Sequence, residues 1–240
     1  MSDASATSYE EIWSGGWDDM RLYGPMSRHT RRLMRRMTDD LMPRSICDIG
    51  CGEGSLLGTL RKAHPGATLT GLEISENAAK LARSRLPQAE IAVADISATA
   101  LAKTFDLVVC ADVVEHIPDD ARALAHMAAM VNPGGRLVVA TLQGRMRRFE
   151  VDIGHQRNYA PGELAAKIAA TGLTVERTIE WGWPLYSPLY RDLLEGIDNR
   201  GTMGRFGLGK KLISHILYAV FRLNSHRHGD YIFIRAKKTA

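Results

Sequence analysis

Four residues at alternate positions, Asp48-x-Gly50-x-Gly52-x-Gly54, close a short apolar run (Ile46 to Ile49) and precede a segment that reads as helix. Strand, tight turn and helix in that order make a ligand site at the end of a parallel strand. Glycine suits the turn because a Cβ opposes positive φ and holds the backbone away from a ligand. A dinucleotide calls for G-x-G-x-x-G, which sets the pyrophosphate on the helix N-terminus. The spacing here differs, and an acid two residues before the first glycine repels phosphate and attracts an ammonium group.

Further candidates follow at successive strand ends. Glu73, followed by Ile74, stands where an α/β nucleotide site hydrogen-bonds ribose hydroxyls. Asp95 offers a carboxylate to an amino group, and Ile96 can pack on a ring. Asp112, Glu115 and His116 share one face of a helical turn by their i, i+3, i+4 spacing. With His155 they make an acid–acid–histidine–histidine set that suits a hard divalent ion, although Asp112 also competes for the ligand above the sheet. His116 and His155 are the candidate general bases. Arg145, Arg147, Arg148 and Arg157 cluster near Tyr159. Guanidinium groups grip carboxylates or phosphates bidentately, so the cluster is read either as a clamp for an acidic substrate or as a solvated basic loop.

These residues need a scaffold, and the alternation of signals supplies one. Strands are expected at 45–50, 67–73, 90–95, 105–111, 135–142 and 173–180, with a closing strand at 230–236. Helices are expected at 27–41, 55–64, 75–86, 119–131 and 161–171. Runs such as Phe105–Ala111 are apolar on both faces, as a parallel sheet covered by helices requires. The prediction is an α/β fold: one domain over 1–240 with a seven-stranded, mostly parallel, doubly wound sheet. An N-terminal arm and helix (1–41) and a helical insertion (182–228), with pieces at 188–197 and 210–224, are additions to it. Their aromatics (Tyr9, Trp13, Trp17 and Trp183, Tyr186, Tyr190) suggest a lid over the substrate, with Trp17 against it. The 210–224 helix is expected to turn its apolar side to the core, with peripheral membrane contact as the alternative.

Taken together, these motifs resemble those of class I S-adenosylmethionine-dependent methyltransferases along roughly 45–180. The resemblance implies that Asp48, Gly50, Cys51 and Gly52 hold the methionine end and Glu73 the ribose, with Ile74 beside it. It gives Asp95 and Ile96 to the adenine and places Asp112 near the transferring methyl. Val114-Glu115-His116-Ile117-Pro118 and Gly154-His155-Gln156-Arg157-Asn158-Tyr159 are similar to a small-molecule branch that includes ubiquinone-biosynthesis O-methyltransferases. Methyl transfer to an oxygen of a small acceptor is the function so implied. Transfer to nitrogen or carbon, an RNA substrate and a catalytically silent binding module are the alternatives. An NAD-linked oxidoreductase is disfavoured by Asp48 and the glycine spacing. A D/E-x-x-E-H arrangement binds metal in some members, so a divalent ion on Asp112, Glu115, His116 and His155 is an added possibility.

Composition sets outer bounds. The 240 residues are 45% hydrophobic and 24% charged, enough for one sizeable core, with a net charge of +4. Three cysteines without a C-x-x-C pair point to reduced thiols and a cytoplasmic location. No signal peptide, membrane-spanning run or nucleic-acid-binding motif is expected.

Overall fold

The computed structural model describes residues 18–195 and 205–239; the predicted aromatic arm, Trp17 included, lies outside them. Helices α1 (Asp18–Tyr23) and α2 (Pro25–Arg36) lead into an alternating succession. It runs β1 (Ser45–Ile49), α3 (Ser55–Ala63), β2 (Thr68–Glu73), α4 (Glu76–Arg85), β3 (Glu90–Val93) and β4 (Phe105–Ala111). A short 3₁₀ turn, Val114–His116, then α5 (Asp120–Ala129), β5 (Val131–Leu142), α6 (Arg148–Asp152), α7 (Glu163–Ala170) and β6 (Leu173–Trp181) follow. The insertion contributes a kinked turn (Leu185–Tyr190), α8 (Arg191–Glu195), α9 (Leu208–Val220) and a 3₁₀ turn (Phe221–Leu223) before β7 (Tyr231–Lys238).

The seven strands form one sheet in the order β3-β2-β1-β4-β5-β7-β6. Strands β1 to β5 pair in parallel, whereas β7 runs antiparallel to both β5 and β6. Strand residues alternate between two cores, as the period of two demands. Val109, Val138 and Ala140 join α2, α3 and α4 on one face; Val108, Cys110, Leu137 and Val139 join α5 and α7 on the other.

The expected elements are present, with their ends moved by at most five residues. The first long helix starts at Pro25 rather than at Ser27, because proline's fixed φ suits the first turn. Strand β5 begins at Val131 because residues 132–135 bulge out opposite Asp106 before pairing resumes at Arg136. No helix forms over 96–104.

The prediction for the 210–224 helix holds only in part: Phe221 is buried, Leu217 packs against the core, and Ile213 and Leu217 line the cavity, but the rest of the apolar side faces outward. In α9 only Ser214 is buried, while Leu208 is 89%, Leu212 62% and Ile216 53% exposed. The helix packs through a mixed side that carries Ser214, Leu217 and Tyr218. His29 of α2 lies between the rings of Tyr218 (4.5 Å) and Trp181 (4.7 Å). Its Nε2 donates to the Tyr218 carbonyl at 3.0 Å, and Arg32 Nε donates to its Nδ1 at 3.2 Å. Burial foremost, with Arg32 next, pushes this imidazole down to about 3, so it stays neutral and keeps both bonds.

The insertion leaves and rejoins the sheet at one place, where Trp181 pairs with Tyr231. Gly229 makes that closure possible: its φ is +146°, and a Cβ there would come 2.2 Å from the Trp181 carbonyl oxygen.

Candidate active site

The carboxyl ends of the parallel strands open into a cavity of about 860 Å³. Gly50, Glu73, Ile74, Asp95, Ile96 and Asp112 line it from the sheet. A pocket of about 30 Å³ shares Arg21, Ser27, Gly50 and Asp112 with it and adds Asp48, Cys51 and Arg31. Six of the nine predicted cofactor residues thus meet in the cavity, and Asp48 and Cys51 meet beside it. Gly52 is not in the lining; it donates its N–H to Glu73.

Each position has a local cause. The loop after β1 turns with φ of +67° at Gly50 and +54° at Gly52. A Cβ on Gly50 would come within 2.3 Å of Val113 Cγ2, so the loop closes only with glycine. Glu73 accepts from Gly52 N at 2.8 Å with one oxygen, and from Ile74 N (2.9 Å) and Ser75 N (3.0 Å) with the other. Three donors hold its carboxylate rigid at the cavity wall. Asp95 accepts from Ser97 N at 2.7 Å. Asp48 is buried, and its Oδ2 reaches no donor. Burial, then the charges of Glu73 and Glu53, push its carboxyl well above the ordinary range. Such a group is poised to accept a cationic donor.

Asp112 stands in the left-handed region at φ +57°, outside the usual range for a side-chain-bearing residue. Tyr231 donates its hydroxyl to Asp112 Oδ1, and Thr30 donates to the same hydroxyl at 3.2 Å. Burial raises the carboxyl of Asp112, and the bond from Tyr231 opposes this. Tyr231 carries no sequence signal beyond opening the last strand.

Beyond Asp112, the cavity floor gathers Glu115, His116 and His155, whose ligand-capable atoms all lie within 4.8 Å of one another. Asp112 is not in that group, so the predicted four-residue set becomes three. Glu115 is 0% exposed and neither of its oxygens has a hydrogen-bond partner; Thr141 lies close enough to ease the charge but is itself unpaired. Burial, with Asp112 adding to it, pushes the Glu115 carboxyl well up. The two imidazoles meet edge to face at 4.7 Å. His116 Nδ1 donates to the Gly154 carbonyl at 3.2 Å, which leaves Nε2 unprotonated in the neutral ring. Burial, then His155, lowers His116 to about 4; burial also lowers His155.

The predicted arginine clamp does not form. Arg148 is 83% exposed and pairs with Asp152 at 3.9 Å. Arg157 pins the Ile117 and Pro118 carbonyls at 2.7 Å each and pairs with Asp120. Tyr159 is fully buried behind the sheet, donating to Asp120 at 2.8 Å. Arg145, which is not in the cavity lining, pairs with Asp192 and with Glu195, which is. Arg147 does line the cavity, but Asp192 (2.7 Å) and Asp230 (3.2 Å) already neutralise it. The sequence placed these residues on one stretch of chain without showing that α6 and the loop after it point them in different directions.

Buried acids and bases unmarked in the sequence hold the insertion over the site. Arg191 of α8 donates to Glu150 and to Asp230 (2.6 Å), and Ser187 donates to Asp230. Tyr186, Tyr190, Phe149, Ile153, Ile213 and Leu217 give that side of the cavity an apolar wall.

Comparison with known proteins agrees with this geometry. A family model described as a methyltransferase domain matches residues 24–181. The ubiquinone biosynthesis O-methyltransferase of Thiobacillus denitrificans is 27% identical over 212 residues, 78% of this chain and 90% of that protein. That of Vibrio parahaemolyticus is 28% identical over 191 residues, 69% of this chain and 80% of that protein. Among solved structures, the N-methyltransferase NodS of Bradyrhizobium japonicum, in complex with S-adenosyl-L-homocysteine, superposes with a TM-score of 0.66 at 18% identity, covering 99% of this chain and 100% of that one.

Proposed function

The chain belongs to the methyltransferase-domain family, as a class I S-adenosylmethionine-dependent enzyme, and on that premise we propose that it methylates an oxygen of a small, largely apolar acceptor. The observation that carries this is the apolar cavity of about 860 Å³ with two neutral imidazoles on its floor. That volume lies near the upper end for a single ligand, about 300–1,000 Å³, and leaves room for an acceptor beside the cofactor.

The unpartnered Asp48 Oδ2 and the 30 Å³ pocket beside it, the size of one small polar group, fit the ammonium of the cofactor's methionine end. Arg21 and Arg31 border that pocket and complement the neighbouring carboxylate. Glu73 receives the ribose hydroxyls, and Asp95 with Ile96 the adenine. When bound, the cofactor supplies an electrophilic methyl on a sulfonium.

The remaining work falls to this chain. Holding an acceptor hydroxyl in line with the methyl supplies most of the rate. His155, with His116 beside it, accepts the hydroxyl proton; both imidazoles are lowered by burial, so both are unprotonated at neutral pH. Asp112, fixed by Tyr231, orients the groups above β4.

Glu115, His116 and His155 also fit a divalent cation, since two buried carboxylate oxygens without donors face two imidazoles. Such an ion would lower the pKa of the acceptor hydroxyl. Magnesium or manganese would then raise the melting temperature of the wild type and leave that of Glu115→Gln unchanged.

The acceptor class is tested by transfer of an isotopically labelled methyl group to matched phenols and amines. Label on the phenols, lost in His155→Ala, is the expected result; label on the amines alone overturns the oxygen reading.

A further inference from the structure

The outward face of α9 is apolar where a solvated helix would be polar. Leu208, Leu212 and Ile216 repeat every fourth residue and so form one row, and Leu223 beyond them is 77% exposed. The helix is about 20 Å long, and the row runs along about 12 Å of it.

The charge around it is predominantly positive, with Asp39, paired with Arg35 at 3.2 Å, and Asp19, which accepts from Phe206 N at 2.6 Å, at its margin. Residues 24–38 and 205–229, which pack together as α2 and α9 with their flanks, hold ten of the chain's 31 Lys and Arg and none of its 27 acids. The rest of the chain is therefore net negative, with 21 basic residues against 27 acids. Several of these cations are held without being neutralised. Arg28 lies 3.6 Å over the Tyr218 ring and contacts His215, Arg36 contacts His226, and Lys211 lies 4.4 Å over the Tyr23 ring.

We propose that α9, with the cationic flank of α2, docks the protein onto the surface of an anionic lipid bilayer. The leucine row enters the headgroup boundary, and the surrounding Lys and Arg meet lipid phosphates. A second copy of the chain fits poorly, because a two-fold interface would set this predominantly basic surface against itself. Nucleic acid fits poorly too, since phosphates give the leucine row nothing to pack against. Lys210, Ile213 and Leu217 of the same helix line the cavity, so docking brings the cavity wall to the lipid. The surface stands independently of the methyltransferase reading, and its test needs no turnover.

The full chain is floated with vesicles of phosphatidylcholine alone and of phosphatidylcholine mixed with phosphatidylglycerol. Binding to the mixed vesicles, weakened by high salt, is expected. Leu212→Gln with Ile216→Gln should lower it about tenfold or more, and Arg222→Glu should also lower it. S-adenosylmethionine affinity and the melting transition should stay as in the wild type, since these side chains touch neither cavity nor core. If the double variant loses its melting transition, Leu208→Gln, on the most exposed side chain, replaces it. Absence of flotation with the mixed vesicles at low salt overturns the proposal. So does flotation indifferent to the leucine substitutions, which means adsorption by charge alone. A dimer by light scattering that these substitutions dissolve, without flotation, assigns the face to self-association, and binding to RNA in preference to vesicles assigns it there.

Discussion

A buried carboxyl without a donor has a definite pH signature, and Glu115 is the clearest case. Its folded pKa is raised, so below the ordinary value of 4.5 both folded and unfolded states carry the proton and stability is independent of this group. Above that value the unfolded chain ionises first, and the wild type loses stability until the folded carboxyl ionises too. Glu115→Gln lacks this loss. It should match the wild-type melting temperature near pH 4 and exceed it at pH 7–8, each kcal/mol gained appearing as about 2–4 °C. Turnover should fall in the same variant. Equal melting temperatures across the pH range would mean that Glu115 is paired in solution. The Glu73 carboxylate, by contrast, is held by three backbone donors. Glu73→Ala should weaken S-adenosylmethionine binding by about 1–3 kcal/mol in calorimetry, through the lost ribose acceptor and the loosened Gly52 loop. Unchanged affinity would remove Glu73 from the site. Both residues are legible in the sequence because the end of a strand, followed by a turn, fixes where a side chain points.

Elements were legible to the degree that their signals are local. Strand β4 follows from its apolar run and helix α3 from the glycine turn before it, whereas the insertion depends on contacts far along the chain. Arg191 reaches Glu150 and Asp230, 41 and 39 residues away, and no spacing rule announces such a pair. The same blindness produced the arginine clamp, because neighbouring residues on α6 and its flanks diverge once folded. It also hid the exposed row of α9: the apolar periodicity is real, but periodicity does not say which of the apolar residues protein covers. Arg191→Ala leaves the buried Glu150 uncompensated, which costs about 3–5 kcal/mol for a pair of this kind. The loss should fall on the insertion first. Limited proteolysis should cut 185–195 faster than in the wild type, while far-ultraviolet circular dichroism of the sheet and its helices stays close to wild type. Cleavage at the wild-type rate would show that the pair does not hold the segment.

At the scale of the molecule, the cavity lies between a sheet edge and the insertion above it, so a ligand there ties two parts together. S-adenosylhomocysteine at 100 times its dissociation constant should add about 2.7 kcal/mol, a rise of roughly 5–10 °C in melting temperature. A shift under about 1 °C under those conditions would mean that the folded state does not hold it. The overall architecture was predicted because a doubly wound sheet is encoded by repetition. What repetition could not reveal is the acceptor side of the cavity, where Tyr186, Tyr190, Ile213 and Leu217 of the insertion face His116, Phe149, Ile153 and His155. That insertion begins after Trp181 and ends before Tyr231, partners across one rung of the ladder, with Gly229 letting the chain close on itself. Because its two ends meet, its length and content place no demand on the sheet. It is therefore an exchangeable cassette: a relative with a different loop between these same two rungs would keep the cofactor residues at the ends of the parallel strands and change the apolar wall that faces the acceptor. Specificity in such a fold evolves, and can be engineered, by transplanting one contiguous stretch of gene.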